Sequence, residues 1–189
     1  PLQLADGDIK LGIGDDAAIV DLSGDHEITT AVDTLVEGVH FPTGMEADAV
    51  GYRSLAVNLS DFAAIGATPR YATLALALPA VDQKWLEAFS VGLGQALRAA
   101  DISLIGGDTC QGALTITIQL IGTIDGAPMA RQGAKPGDTL LVSGTLGDAR
   151  AGLELMKQPG GIDTGHSKAL VERFMRPQAR LTLGVEARC

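Results

Sequence analysis

Between positions 48 and 63 apolar side chains return every three or four residues, at Tyr52, Leu55, Ala56, Leu59, Phe62 and Ala63. That spacing predicts a helix with one buried face, and Gly66 with Pro69 supplies its stop. Arg70 to Leu78 is an apolar run of strand length. Asp82 is placed to cap a second helix, whose buried face reads Trp85, Leu86, Phe89, Leu93, Ala96 and Leu97. Ile102 to Ile105 predicts a short strand running into Gly106-Gly107-Asp108. Leu114, Ile116, Ile118 and Leu120 then alternate with Thr115, Thr117 and Gln119, the pattern of a strand with one wet face. Upstream, Ala17 to Val20 and Ile28 to Val32 read as short strands on either side of Ser23-Gly24-Asp25.

Turn clusters at Asp125-Gly126 and Lys135-Pro136-Gly137-Asp138 flank Arg131. Beyond them the pattern predicts one strand at Thr139 to Val142, a Gly-rich loop and two helices. Leu181 to Cys189 reads as a helix or strand entry that stops abruptly. One strand and two helices are too little for an independent core. A domain boundary is therefore expected near Ala134, with residues 1–134 as an N-terminal domain and 135–189 as the opening of an incomplete α/β second domain. The mixed order of strands and helices makes the class α+β, a mixed sheet packed with helices. The chain begins at Pro1 rather than Met and is expected to be part of something longer.

Charge narrows the partners. The formal net charge of −9 repels nucleic acid and anionic lipid, so neither is an expected partner. A phosphate-bearing ligand would need cations to bridge it to so acidic a chain. The cysteines, Cys110 and Cys189, suggest neither a disulfide framework nor a zinc site, and a reducing cytoplasm is favoured. No apolar run reaches membrane-spanning length and no signal peptide is visible.

The candidate chemistry lies in aspartates beside glycine or at strand edges: Gly14-Asp15-Asp16, Val32-Asp33, Ser60-Asp61 and Gly107-Asp108. Of the adjacent pair Asp16 is preferred as a ligand, because neighbours in an extended segment point opposite ways. Asp61 sits inside a helix otherwise built for burial, where a carboxylate is costly unless exposed or paired. Asn58, three residues earlier, shares nearly the same face, and a simply wet face explains both equally well. Carboxylates gathered in one place repel and raise their own pKa values. Magnesium resolves that conflict: it takes carboxylate oxygens, keeps several waters and bridges to phosphates. The set therefore points toward a phosphate-bridging site with several magnesium ions, although spacing alone does not bring the four together. Asp33 and Asp108 also have plain readings as turn residues. No P-loop, kinase glycine loop or Ser/His/Asp set is present, and Gly12-Ile13-Gly14 is too short for a dinucleotide fingerprint.

The same segments carry a family resemblance. Leu11-Gly-Ile-Gly-Asp-Asp-Ala17, Val32-Asp-Thr-Leu-Val-Glu-Gly-Val-His-Phe41, Ala56-Val-Asn-Leu-Ser-Asp-Phe-Ala-Ala-Ile-Gly-Ala67, Leu104-Ile-Gly-Gly-Asp-Thr109 and Gly133-Ala-Lys-Pro-Gly-Asp138 resemble the thiamine-monophosphate kinase family in order and spacing. That family belongs to the aminoimidazole ribonucleotide synthetase-like superfamily. The resemblance implies transfer of the terminal phosphoryl group of ATP to thiamine monophosphate, giving thiamine diphosphate and ADP. It implies magnesium ligands at Asp16, Asp33, Asp61 and Asp108. It implies ATP contacts at Gly107, Asp108 and Arg131, and a substrate contact at His40. It also implies a homodimer in which strands of both subunits build a shared barrel. The family often has Ser or Thr where this chain has Ala31 and Val32, so any hydroxyl ligand from them is lost. Its Asp-Leu-Ser-Asp-Gly and Gly-Gly-Glu-Asp-Tyr motifs lie beyond Cys189, so the chain alone is expected to be inactive. Two other readings stay open: a superfamily relative using ATP on a different phosphate, carboxylate or amide acceptor, and a non-catalytic dimerisation module.

Overall fold

In the computed structural model, two short strands, Ile9–Leu11 (β1) and Ile19–Val20 (β2), pair antiparallel as a ribbon of their own. The structure describes residues 9–11, 19–20, 27–125, 127–130, 133–158 and 164–188. The main sheet has the strands Glu27–Val36 (β3), Thr68–Leu78 (β4), Ser103–Gln111 (β5) and Thr115–Ile124 (β6), in the order β3-β6-β4-β5. β6 runs antiparallel to both neighbours, whereas β4 and β5 are parallel. A parallel pair needs a long crossover, and the helix Gln83–Ala100 (α2) provides it. The helix Ala47–Ile65 (α1) connects β3 to β4. The mixed sheet with helices on it agrees with the α+β class expected.

The helix ends follow the chemistry of their caps. The Asp82 side chain accepts hydrogen bonds from the amides of Lys84 and Trp85 at 3.0 and 3.2 Å, opening α2. Gly66 closes α1 in the left-handed conformation, φ 76°, where glycine has no Cβ penalty.

One face of the sheet is covered. Leu35, Ala72, Leu76, Ile116, Ile118 and Leu120 meet Leu55, Leu59 and Phe62 of α1 and Phe89, Leu93 and Leu97 of α2, all within one buried cluster. The two helices approach through glycine. A Cβ on Gly92 would lie 1.7 Å from the Asp48 carbonyl oxygen, and one on Gly51 2.2 Å from that of Phe89. On the opposite face Ile28 and Val32 are 63% and 62% exposed.

Two expectations change. β5 does not stop at Ile105 but runs through Gly107 and Asp108 to Gln111, paired with β4 along that length. Gly107 permits this: a Cβ there would lie 1.9 Å from the Leu74 carbonyl oxygen. The strand expected at Thr139 to Val142 does not form, and Leu140 and Leu141 stand 90% and 92% exposed. An apolar run becomes a strand only when a neighbour accepts its backbone hydrogen bonds, and none pairs with it among the described residues.

The chain end folds as the helices Asp148–Met156 (α3), Gly165–Met175 (α4) and Leu181–Arg188 (α5), in line with the two helices and the helix or strand entry expected there. The last two pack on α1. Phe174 joins the core of the sheet and its helices. Arg53 donates to the Phe174 carbonyl and lies 4.0 Å over its ring. Arg176 pairs with Asp48 of α1 and donates to Gln95 of α2. A Cβ on Gly184 would lie 2.1 Å from the Ala63 carbonyl oxygen, so α5 sits directly against α1. No described helix is long and apolar enough to cross a membrane.

Candidate functional site

Asp33 lies inside β3, not at its end, and pairs in register with Ile118 of β6. Strand alternation puts it on the helix-covered face with Leu35, half-buried. Asp61 stands near the end of α1 and is exposed. Yet its carboxyl is pushed above its ordinary pKa, first by partial burial and then by the negative charge of Asp33. The fold thus brings these two sequence-predicted carboxylates into one electrostatic site. Among the described residues, no ion pair joins either carboxylate to a cation.

Beneath them is Asn58, 0% exposed, whose Nδ2 donates to the Ile118 carbonyl. Its Oδ1 is buried without a partner. Sequence reasoning placed Asn58 on the face of Asp61 but did not count it as a site residue. The available signal was an amide inside an apolar helical run, a position that calls for a specific partner.

Asp108 is placed differently. The register row through Asp33 reads Ile118, Leu74 and Gly107, and the next row reads Thr34, Thr117, Ala75 and Asp108. Asp108 is therefore on the uncovered face, where Thr34 and Thr117 join their hydroxyls at 2.9 Å. It is about 14 Å from Asp33, three strand spacings across the sheet. A magnesium ion joins oxygens only about 4 Å apart, so one ion cannot take both aspartates of the same chain. Among the described residues no group of three or more His, Cys, Asp or Glu is arranged to hold a metal ion. Asp16 and Arg131 lie outside the described residues.

His40 caps the turn after β3. Its Nδ1 accepts from the Val36 amide at 3.0 Å, while its own amide donates to the Val36 carbonyl at 2.9 Å. With Nδ1 accepting, the neutral ring carries its proton on Nε2, facing solvent as a donor. The turn is fixed from both sides: Phe41 is buried in the core, and Glu37 accepts from the Gly44 amide at 3.2 Å. The broad cleft along α5, lined by residues such as Arg70, Asp101, Arg180 and Glu186, contains none of the site residues expected from sequence. We place the candidate site on the carboxylates, where the ligand chemistry is, and not in that cleft.

Known proteins resemble the chain in sequence and fold. Residues 14–124 match the family model of AIR synthase related protein, N-terminal domain. The chain is 43% identical over 179 residues to thiamine-monophosphate kinase of Escherichia coli (strain K12), covering 94% of this chain and 55% of that protein. It is 34% identical to thiamine-monophosphate kinase of Bacillus subtilis (strain 168), covering 97% and 59%. The thiamine-monophosphate kinase structure from Stenotrophomonas maltophilia K279a superposes with a TM-score of 0.87 at 42% identity, over 96% of this chain and 59% of that one. A structure of AaThiL complexed with AMPPCP and TMP gives 0.79 at 35% identity, over 92% and 56%. The chain spans between half and two thirds of the length of these relatives. With the family model matched over more than half its residues, the chain belongs to the AIR synthase related protein family and carries that family's N-terminal domain.

Proposed function

We propose that the chain is the ATP- and magnesium-binding part of a thiamine-monophosphate kinase, which moves the terminal phosphoryl group of ATP directly onto thiamine monophosphate. The observation that carries this reading is the Asp33–Asp61 pair: two carboxylates on different elements, where burial and then the Asp33 charge raise the cost of ionising Asp61. It sits in a chain similar to a protein complexed with AMPPCP and TMP.

The residues present fit magnesium. Asp33 and Asp61 offer hard oxygen donors, and Asn58, on the helix face of Asp61, keeps a buried Oδ1 without a partner. Asp33 and Asp61 would hold the ion, which when bound supplies neutralisation of phosphate charge. The acceptor phosphate is already ionised at neutral pH, so the protein needs no strong general base. Its task is to orient two anions in line and keep them in contact. His40 offers its Nε2–H to the acceptor substrate. Asp16 as a further metal ligand, and Gly107 and Arg131 as contacts to ATP, belong to the same reading.

A homodimer completes it. Ile28 and Val32 on the uncovered sheet face offer apolar area that a second copy would cover, and Asp108 lies on that face. Asp108 would then serve as a magnesium ligand and ATP contact of the shared assembly, because it is too far from Asp33 of its own chain. We assign residues 1–134 to the N-terminal domain and 135–189 to the start of a second one. The exposed Leu140, Leu141 and Val142 would gain their strand partners from that second domain. We place the reaction in the cytoplasm.

The test is a product assay with the full-length protein, ATP, magnesium and thiamine monophosphate, read by chromatography of thiamine diphosphate. Turnover that requires magnesium and drops at least about a hundredfold in Asp33→Asn and Asp61→Asn supports the reading. Preference for another acceptor over thiamine monophosphate would assign the chain to a different activity of the superfamily.

A further inference from the structure

Asn58 stands where α1 meets the strand row of Asp33. Its Nδ2 donates to the carbonyl of Ile118, the register partner of Asp33, and Asp61 follows one helical turn later. The amide orientation is set by that bond, because the flipped form would set Oδ1 against the Ile118 oxygen. The serines of α1 close locally: Ser54 donates to the Val50 carbonyl at 2.7 Å and Ser60 to that of Ala56 at 3.0 Å. Among the described residues, the buried side-chain atoms without partners are Arg53 Nε, Arg188 Nε and Asn58 Oδ1. The first two are donors. Asn58 Oδ1 is an acceptor, fully buried, and it lies on the helix face of a carboxylate that would bind a cation. A buried acceptor is disfavoured unless a donor reaches it.

We propose that Asn58 is a positioning residue of the cation site. Its Nδ2 fixes α1 against β6 so that Asp61 stays beside Asp33, and its Oδ1 accepts a hydrogen bond from a water carried by the bound ion. Magnesium keeps several of its waters, which supply such donors, and groups that orient a metal's ligands tune its affinity. The inference rests on reading Asp33 and Asp61 as a cation site.

The experiment is manganese titration of the full-length protein by electron paramagnetic resonance, with thermal melts in and out of magnesium. The proteins are wild type, Asn58→Leu, Asn58→Asp and Ser54→Ala. Asn58→Leu keeps the branched outline, with bulkier methyl groups, and removes both hydrogen-bonding functions. It is expected to fold by circular dichroism and bind manganese about tenfold or more weakly, while Ser54→Ala binds as wild type does. Wild-type affinity in a folded Asn58→Leu overturns the proposal, as does equal weakening in Ser54→Ala, which would signal general loosening of α1. Should Asn58→Leu fail to fold, Asn58→Asp decides. It keeps acceptors at the same place, so magnesium must raise its melting temperature more than that of wild type, and an equal or smaller rise overturns the proposal. Wild type that binds no manganese sinks the cation reading of Asp33 and Asp61 as well, a result distinct from failure of Asn58 alone.

Discussion

Asp33 on β3 and Asp61 on α1 share one electrostatic field, and the Asp33 charge helps push the Asp61 carboxyl above its ordinary pKa. Without a cation, the folded chain therefore holds a proton on Asp61 more tightly than the unfolded chain does. The sign follows: the folded state binds more protons between the unfolded and folded pKa values, so stability falls as pH rises through that window. Above it, ionised Asp61 is a standing penalty. Asp61→Asn should remove this penalty, leaving metal-free protein at least as stable as wild type at neutral pH, with a flatter stability curve above pH 4. Urea unfolding across pH 4 to 8 in a chelator checks it. A steeper loss in Asp61→Asn would contradict the shared field.

Within one chain, Asp33 and Asp108 should behave independently. Carboxyl NMR titration of Asp61 should move toward its ordinary value in Asp33→Asn and stay unchanged in Asp108→Asn. A response of Asp61 to Asp108→Asn equal to that for Asp33→Asn would mean that the two aspartates are neighbours after all.

Backbone contact between α1 and α2 leaves no room for a methyl group. Gly92→Ala sets a Cβ 1.7 Å from the Asp48 carbonyl oxygen, against backbone that cannot swing aside. The expected loss is about 1–3 kcal/mol or more in urea unfolding. Gly137→Ala meets no atom within 4 Å. It is strained only by its φ of 99° and should lose less.

The chain end is clasped by arginine. Arg176 pairs with Asp48, donates to Gln95 and lies 5.1 Å over the Tyr52 ring. Arg176→Ala should speed hydrogen exchange across α4 and α5 while leaving the β3–β6 ladder protected. Uniform acceleration through the sheet would show that the helices and the sheet open as one unit.

The elements read well from sequence because their signals are local. Periodicity located α1 and α2, Asp82 announced its cap, and alternation located β6. The carboxylates were also legible as candidates, because aspartate beside glycine or within an apolar helix is conspicuous. Their grouping was not. Asp33 looked like a strand-end residue and Asp108 a loop residue, yet both lie within strands, on opposite faces. Thr139 to Val142 had the composition of a strand but found no partner among the described residues.

Sequence by itself determined the helices α1 and α2, the strand β6 and which side chains can carry negative charge, since caps, glycines and hydrophobic spacing act over a few residues. Tertiary structure decided which of those charges meet. The order β3-β6-β4-β5 sets Asp108 apart from Asp33, and the seating of α1 on β6 through Asn58 brings Asp61 near Asp33. The reason is physical: electrostatic coupling depends on distance through space, and only strand register and helix packing set that distance for residues far apart in the chain.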